Sequence, residues 1–229
     1  MTGDVGATLR GPLSVLGAED VAELRRRAAR RRYGLGEQLL VQGREADGVH
    51  ILLEGRVRVV ATRRDGRELL LALRGPGDTL GELASFDPAP RMATVIALEP
   101  VSTLLVSASE FVGFLHQRPE LLQAMLQLLV RRLRESDRRL VEARGDDTLT
   151  RVAGRLLELG ASYGTPGEAG LDLDVPLSQE QLAAWVGVSR EAVSLALRAL
   201  RERGAVTTGR MRITLVDIDL LREAAIAAG

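Results

Sequence analysis

Seven residues near the middle of the chain recur at alternating spacings of four and three: Leu122, Leu126, Leu129, Leu133, Ser136, Leu140 and Ala143. This spacing puts all of them on one face of an α-helix, and its repetition is typical of a coiled-coil seam. Pro119 suits the first position of such a helix. The sequence therefore predicts one long helix over residues 119–144.

The pattern alone leaves two options for what covers this seam. The seam can pack on its own domain, but its length and its charged flanks favour a parallel dimer. Ser136 is its one polar member, and a single polar residue in such a seam usually sets the register. Ser136 can instead contact a ligand.

The part of the chain before residue 110 alternates glycines with short apolar runs. Three of these runs have the character of strands and lie at residues 49–53, 56–60 and 68–73. Asp65-Gly66 stands between two of them and is a hairpin signal. Turn signals at short spacing between such runs predict an all-β barrel or roll. Ahead of this zone, residues 18–31 are expected to form a short helix with a strongly basic face.

A second local pattern predicts a pair of short helices towards the C-terminus. Ser178 and Gln181 have the spacing of a capping box at the start of the first helix. Gly187 then stands where that helix must end in a tight turn with positive φ. Ser189 caps a second helix, whose inward positions are apolar. Together these signals favour a helix-turn-helix over an ordinary helical hairpin.

The outward face of the second helix carries groups that can read DNA. Arg190 can donate two hydrogen bonds to guanine and Glu191 can accept one from cytosine, while Leu195 can touch a thymine methyl group or simply pack. Between residues 177 and 212 six arginines face three glutamates, although the net charge of the chain is zero. The predicted DNA-contacting set, with wing arginines for phosphates, is Ser178, Gln179, Ser189, Arg190, Glu191, Ser194, Leu195, Arg198, Arg210 and Arg212.

The composition excludes several classes of protein. With no cysteine and two histidines, the chain is not expected to form disulfides, thiolate zinc sites, iron–sulfur clusters or histidine-rich metal sites. It shows no Walker loop, catalytic carboxylate pair or nucleophile–base set, so we expect neither an enzyme nor a bound metal or haem. No apolar stretch approaches the roughly 20 residues that span a bilayer, and the N-terminus lacks a signal-peptide pattern. These features predict a soluble, cytoplasmic protein.

Two segments carry a resemblance to a known family. Residues 186–193, VGVSREAV, and residues 81–95, GELASFDPAPRMATV, resemble the DNA-reading hairpin and the phosphate-binding cassette of the cyclic-AMP receptor protein and fumarate–nitrate reduction regulator (Crp/Fnr) family. The resemblance extends from about residue 12 to residue 225. It implies an α+β fold made of a cyclic-nucleotide-binding, jelly-roll-like β-roll over 1–117, a dimerisation helix and hinge over 118–146, and a winged helix-turn-helix over 147–229.

The resemblance also implies a cyclic-nucleotide pocket, with cyclic AMP as the first candidate. In it Arg91 supplies a charged fork for the phosphate, and Glu82 accepts from the ribose 2′-hydroxyl. Met92 and Asp137 stand where hydroxyl residues are usual, which removes a phosphate donor and adds negative charge near the base. The implied ligand-binding set is Gly81, Glu82, Leu83, Ala84, Arg91, Met92, Ala93, Ser136 and Asp137. The alternative is an empty roll in which Glu82 and Arg91 form an internal salt bridge.

By this resemblance the chain is expected to be a homodimeric transcription regulator under allosteric control by the nucleotide. Ligand would bias the hinge at residues 145–147 and so set the spacing of two recognition helices on a two-fold symmetric DNA operator. RNA polymerase is a further implied partner, and a membrane is not. Two alternatives stay open: a ligand-independent DNA-binding regulator with a vestigial pocket, and a nucleotide-binding enzyme or kinase regulatory subunit.

Overall fold

The computed structural model of the protein describes residues 11–87, 89–145, 147–173, 177–209 and 212–226, except the side chains of residues 142–145. Arg210, predicted to contact DNA, and residue 146 of the predicted hinge therefore lie outside the described residues. The chain divides into two compact units, Met1–Arg134 and Glu135–Gly229. Each unit has buried apolar side chains of its own.

The N-terminal unit is a β-roll built from two four-stranded sheets. Its strands are β1 (Ala29–Tyr33), β2 (Gln38–Leu40), β3 (Val49–Glu54), β4 (Val57–Thr62), β5 (Glu68–Arg74), β6 (Thr79–Leu80), β7 (Thr94–Ala97) and β8 (Val101–Val106). All pairs are antiparallel, and the strand orders are β1-β8-β3-β6 and β2-β7-β4-β5. The all-β roll predicted from the glycine-punctuated runs is confirmed. Gly66, with a φ of 81°, lies in the turn between β4 and β5, as the hairpin signal predicts.

Helices cover one side of this roll. They are a 3₁₀ turn (Gly11–Val15), α1 (Ala18–Arg27), the single-turn α2 (Leu83–Phe86), α3 (Ala108–His116) and the first turns of α4 (Pro119–Gly145). Ile51 of β3 packs in the cluster shared with these helices, whereas Leu52 packs in the interior of the roll. Both faces of β3 are therefore buried, which explains why apolar residues stand at consecutive positions and do not alternate with exposed polar ones.

The predicted basic helix over residues 18–31 is wrong beyond Arg27. The chain leaves the helix at Ala28, whose ψ is 143°, and enters β1. There Arg30 and Arg32 pair in register with Leu104 and Ser102 of β8. Strand pairing with a segment about 70 residues away, which satisfies the backbone along β1, overrides the local helix propensity of this arginine-rich stretch.

The long helix predicted from the heptad spacing is confirmed, since α4 runs from Pro119 to Gly145. Its first turns are buried, and Leu121 and Met125 belong to the core of the N-terminal unit. The seam itself is open further along the helix. Leu126, Leu133 and Leu140 are 56%, 62% and 55% exposed, so the described part of the chain leaves most of their surface uncovered.

The C-terminal unit combines helices with a small antiparallel sheet. Its elements are α5 (Thr148–Tyr163), β9 (Gly164–Gly167), β10 (Gly170–Leu173), α6 (Gln179–Val186), α7 (Arg190–Glu202), β11 (Val206–Gly209), β12 (Arg212–Leu215) and α8 (Ile218–Ile226), with strand order β11-β12-β10-β9. Asp147 caps α5 by accepting from the Thr150 backbone N–H. Hydrogen bonds from the backbone and the side chain of Thr150 lower the pKa of the Asp147 carboxyl group. The hairpin β11–β12 is the wing expected after α7.

A buried histidine makes the stability of the β-roll depend on pH. His50 of β3 is 1% exposed, its Nδ1 lies 3.0 Å from Thr103 Oγ1, and burial lowers its pKa from 6.5 to about 4. The unfolded chain takes up this proton first as the pH falls below 6.5, so the free energy of unfolding decreases across the window from pH 6.5 to about 4.

We expect the wild-type protein to lose about 2 kcal/mol more than a His50→Phe variant between about pH 6.5 and pH 4.5. Phenylalanine keeps an aromatic ring in the site but has no proton to bind. Urea denaturation followed by circular dichroism at several pH values measures the difference. Parallel pH profiles for the two proteins would show that His50 does not titrate in this way.

Candidate functional site

The cassette begins at a glycine that touches the guanidinium of Arg91. Gly81 has a φ of 77°, and a Cβ atom at this position would lie 2.2 Å from Arg91 Nη1. The Gly81 carbonyl accepts a hydrogen bond from the same Nη1 at 2.8 Å. A glycine is required here both by the left-handed backbone and by the close approach of the arginine.

Arg91 is held in place from three sides. It is 5% exposed, and its Nη2 donates to the Gly48 carbonyl at 2.6 Å and to Asp47 Oδ1 at 2.8 Å. Its Nε is buried and has no hydrogen-bond partner among the described residues. The cation that the sequence assigns to a phosphate is thus fixed beneath the cassette with one buried donor still unused.

Glu82 is paired with a residue of the long helix. It is 3% exposed, and its Oε1 accepts from Arg132 Nη1 of α4 at 2.5 Å. Arg132 also donates to the Thr79 carbonyl at 3.1 Å and to Asp78 Oδ1 at 3.3 Å. The alternative expectation of an internal Glu82–Arg91 salt bridge is wrong for the described structure, because each residue has a different counter-ion.

Sequence reasoning missed Arg132 and Asp47 as members of this site. Arg132 precedes Ser136 by four residues, which puts both on one face of α4, and that spacing was the available signal. Asp47 carried no local signal, since its partner Arg91 is 44 residues away.

The remaining residues of the cassette differ in how far they are exposed to solvent. Ala93 is buried, while Leu83 and Met92 are 46% and 68% exposed, and Ala84 is half-buried. Met92 therefore points its bulk largely towards solvent in the described structure. The cassette brings together Gly81, Glu82 and Arg91 within the N-terminal unit. Ser136 and Asp137 lie on α4 in the C-terminal unit and are both exposed, and their role at a nucleotide base stays a prediction.

The helix-turn-helix is formed by the caps that the sequence predicts. Ser178 Oγ accepts from the Gln181 N–H at 3.1 Å, and Gln181 Oε1 accepts from the Ser178 N–H at 2.8 Å. Gly187 ends α6 with a φ of 77°, and Ser189 Oγ accepts from the Ala192 N–H at the start of α7. The residues Val193, Ala196, Leu197 and Leu200 are buried, so α7 presents its other face to solvent.

The solvent face of α7 carries the predicted reading residues. Arg190, Glu191, Ser194, Leu195 and Arg198 are all exposed. Arg190 makes no ion pair among the described residues, whereas Arg198 Nε donates to Glu202 Oε1 at 2.9 Å. The pKa of Glu191 is lowered, because backbone N–H at the helix start and the Ser189 hydroxyl donate to its carboxylate. Arg190 and Glu191 therefore lie at the exposed N-terminal end of α7.

Three hydrogen bonds fix the wing to the rest of the C-terminal unit. Arg212 Nη2 donates to Asp172 Oδ2 at 2.5 Å and Thr214 Oγ1 donates to Asp172 Oδ1 at 2.6 Å, which together lower the pKa of Asp172. Arg201 Nη1 donates to Thr208 Oγ1 at 2.6 Å and so ties α7 to β11. The wing therefore keeps a set position beside α7, although one of its predicted phosphate ligands, Arg212, is already ion-paired.

The last turns of α4 contact the helices of the C-terminal unit. Arg138 and Arg139 both pair with Glu158 of α5, and Arg155 Nη1 donates to the same carboxylate at 2.7 Å. The Arg139 guanidinium also lies 5.7 Å from the centre of the Trp185 ring on α6. Salt bridges thus attach the end of α4 to α5, and one cation–π contact reaches α6, the first helix of the helix-turn-helix.

Comparison with known proteins supports both halves of this description. Residues 30–118 match the cyclic nucleotide-binding domain, and residues 150–224 match the Crp-like helix-turn-helix domain. The chain is 32% identical over 186 residues to the CRP-like cAMP-activated global transcriptional regulator of Mycobacterium tuberculosis, covering 81% of this chain and 83% of that protein. The chain belongs to the Crp/Fnr family of transcription regulators.

Other members of the Crp/Fnr family show the same relationship. The cyclic AMP receptor protein of Thermus thermophilus is 33% identical over 86% of this chain and 88% of its own length. The crystal structure of a CRP/FNR-family transcriptional regulator from the same organism superposes with a TM-score of 0.73 at 28% identity, covering 88% of this chain and 100% of that one. Family and fold class are therefore as the two sequence motifs predict.

Metal-ligand groupings and membrane-spanning helices are both absent from the described residues of this Crp/Fnr chain. Within the described residues, no three or more histidine, aspartate or glutamate side chains are grouped as metal ligands would be. No helix in the same part of the chain has the length and apolar character that crossing a membrane requires.

Proposed function

We propose that this Crp/Fnr-family protein is a homodimeric, sequence-specific transcription regulator, and not an enzyme, whose DNA binding is controlled by a cyclic nucleotide. The observation that carries the proposal is the pair of buried, oppositely charged residues Arg91 and Glu82 at the cassette. Although each has a counter-ion, Arg91 keeps a buried Nε donor without a partner among the described residues, which is costly unless a ligand uses it. Cyclic AMP is the first candidate, since two relatives above 30% identity are named for it.

In this proposal the nucleotide uses both charged residues. The phosphate binds at Arg91, where Nε has no partner among the described residues, and the ribose 2′-hydroxyl donates to Glu82. The neighbouring residues Leu83, Ala84, Met92 and Ala93 line the cassette beside Gly81. Ser136 and Asp137 are assigned to the base, as the family resemblance implies.

The exposed seam of α4 supports the homodimer. Leu126, Leu133 and Leu140 repeat at heptad spacing and are more than half exposed. A second copy of α4 in parallel register would cover them, and Ser136 would then sit within the seam. Dimerisation would also present two recognition helices to two half-sites roughly 34 Å apart, one helical turn of DNA.

DNA reading is assigned to α7 and its surroundings. Arg190, Glu191 and Leu195 face the bases, and the wing arginines Arg210 and Arg212 bind phosphates. The other members of the DNA-contacting set are Ser178, Gln179, Ser189, Ser194 and Arg198. RNA polymerase is the further partner proposed for a regulator that acts at promoters.

A ligand screen tests the effector. At a ligand concentration of about 100 times Kd, binding adds about 2.7 kcal/mol to the folded state, so the Tm should rise by several degrees. We expect this rise with cyclic AMP, and its loss in Arg91→Ala. Arg64→Ala removes an exposed arginine from the turn between β4 and β5 and should keep the rise. No shift with cyclic AMP, cyclic GMP or cyclic di-GMP would exclude nucleotide control.

Replacing Arg190 tests DNA reading. Arg190→Ala should cost about 1–3 kcal/mol in operator binding and relax the base preference at one position of each half-site, because a bidentate contact to guanine is lost. A binding selection from a random DNA pool at stated salt measures both effects. An unchanged base preference would refute the assignment of Arg190.

A second candidate function is a regulator that binds DNA without a ligand. The observation in its favour is that Arg91 and Glu82 each already have a counter-ion, Asp47 and Arg132, in the N-terminal unit. Gel-shift titrations with and without cyclic AMP separate the two candidates. Equal operator affinity in both titrations would favour the ligand-independent regulator.

A further inference from the structure

The hydrogen bonds that the Arg91 guanidinium already makes leave no pair of adjacent free donors for a phosphate. Arginine offers five N–H donors. Here Nη1 gives one to the Gly81 carbonyl, and Nη2 gives both of its own to the Gly48 carbonyl and to Asp47. The donors left over are one on Nη1 and one on Nε, and the latter is buried without a partner among the described residues.

A bidentate contact needs two adjacent donors that point the same way. A guanidinium has two such edges for an incoming oxyanion, one formed by Nε with Nη2 and one by Nη1 with Nη2, and fork geometry uses one edge at a time. Both edges include Nη2, whose two donors are taken. A phosphate can therefore form a bidentate contact with Arg91 only if Nη2 gives up its hydrogen bond to Gly48 or to Asp47.

Asp47 is the partner that can be released. The Gly48 carbonyl belongs to the main chain directly before β3, and Gly48 is itself buried with a φ of 151°. The Asp47 side chain is 62% exposed, while that of Arg91 is 4% exposed. A carboxylate with this exposure is rehydrated at little cost when it swings away, whereas the carbonyl cannot turn without distorting the strand.

We infer that Asp47 is an affinity-setting residue of the nucleotide site, because its carboxylate holds the donors of Arg91 that a ligand phosphate needs and must yield them on binding. This inference rests on the proposed function, since it concerns the same site. Glu82 does not compete with the phosphate for the donors of Arg91, because its carboxylate is bonded to Arg132. Asp47 thereby makes the site selective for ligands whose phosphate can outcompete an internal carboxylate.

The test compares two neutralising substitutions in one loop of the full-length protein. Asp47→Asn removes the competing charge and keeps the size of the side chain and an oxygen that can accept from Arg91. Glu45→Gln makes the same charge change two residues away, at an exposed position whose side chain makes no hydrogen bond or ion pair with Arg91. Isothermal titration calorimetry with cyclic AMP gives Kd for the wild type and both variants.

We expect Asp47→Asn to bind cyclic AMP roughly twofold to fivefold more tightly than wild type, the range in which exposed charged contacts act, with Glu45→Gln near wild type. An unchanged or weaker affinity for Asp47→Asn, or an equal gain in both variants, would overturn the inference and leave the proposed function intact. Binding by none of the three proteins would instead count against the proposed function. Inorganic phosphate then decides the inference: it should raise the Tm of Asp47→Asn more than that of the other two, and equal shifts would overturn it.

Discussion

Replacing Arg132 with methionine is expected to lower the free energy of unfolding by about 3 kcal/mol. The substitution leaves Glu82, which is 3% exposed, without the cation that lies 2.5 Å from its carboxylate. A buried charge without a partner costs more than the pair contributes, so most of the loss comes from stranding Glu82. Urea denaturation monitored by circular dichroism measures the change.

The double variant Arg132→Met/Glu82→Gln separates the stranded charge from other effects. Removing both charges should recover most of the stability lost in Arg132→Met, because no buried ion then remains unpaired. Arg58→Met is the matched control, since Arg58 donates to Glu68 at 2.8 Å but Glu68 is 45% exposed. That control should lose less than about 1 kcal/mol. Similar losses for Arg58→Met and Arg132→Met, or no recovery in the double variant, would contradict the burial argument.

Gly81→Ala is expected to weaken cyclic AMP binding by at least about tenfold, the loss of roughly 1.4 kcal/mol. The new Cβ would stand 2.2 Å from Arg91 Nη1 and 3.2 Å from Leu40 Cδ1. The new atom meets the far end of a side chain and not the backbone, so Arg91 can shift to make room for it, although the shift strains its hydrogen bonds to Gly48 and Asp47. Its displacement moves the arginine proposed to bind the phosphate, and the effect is therefore expected mainly in binding.

Gly66→Ala is the control for the backbone part of this substitution. Gly66 has a φ of 81°, close to the 77° of Gly81, but nothing lies within 4 Å of an added Cβ. Both variants should lose about 1–2 kcal/mol of stability from the left-handed conformation, and only Gly81→Ala should lose affinity. Calorimetric titration and thermal melting of each variant supply both values. Wild-type affinity in Gly81→Ala would show that Arg91 does not need its observed position.

Features encoded by neighbouring residues could be predicted from the sequence. The capping box at Ser178 and the left-handed Gly187 depend on residues within one turn, and both are found. The same holds for the long helix α4, because the heptad spacing of its residues is enough to predict a helix. The two motifs also identified the family, because each combines several residue types at fixed spacing.

Pairings between distant segments could not be predicted in the same way. Arg132 lies 50 residues from Glu82, and Arg91 lies 44 residues from Asp47. Each arginine of such a pair had several carboxylates available, and residue order alone offers no geometric ground for choosing one. The wrong helix over residues 28–31 has a similar cause, since pairing of β1 with β8 decides the conformation there.

The contact between Arg139 and Trp185 gives this protein a built-in optical reporter. Trp185 is the single tryptophan of the chain, so all indole fluorescence comes from one buried ring on α6. Its emission depends on the guanidinium 5.7 Å away at the end of α4 and on the exclusion of water from the ring. Any event that separates the end of α4 from the helix-turn-helix will therefore shift the emission spectrum, and such an event can be followed in solution without a label.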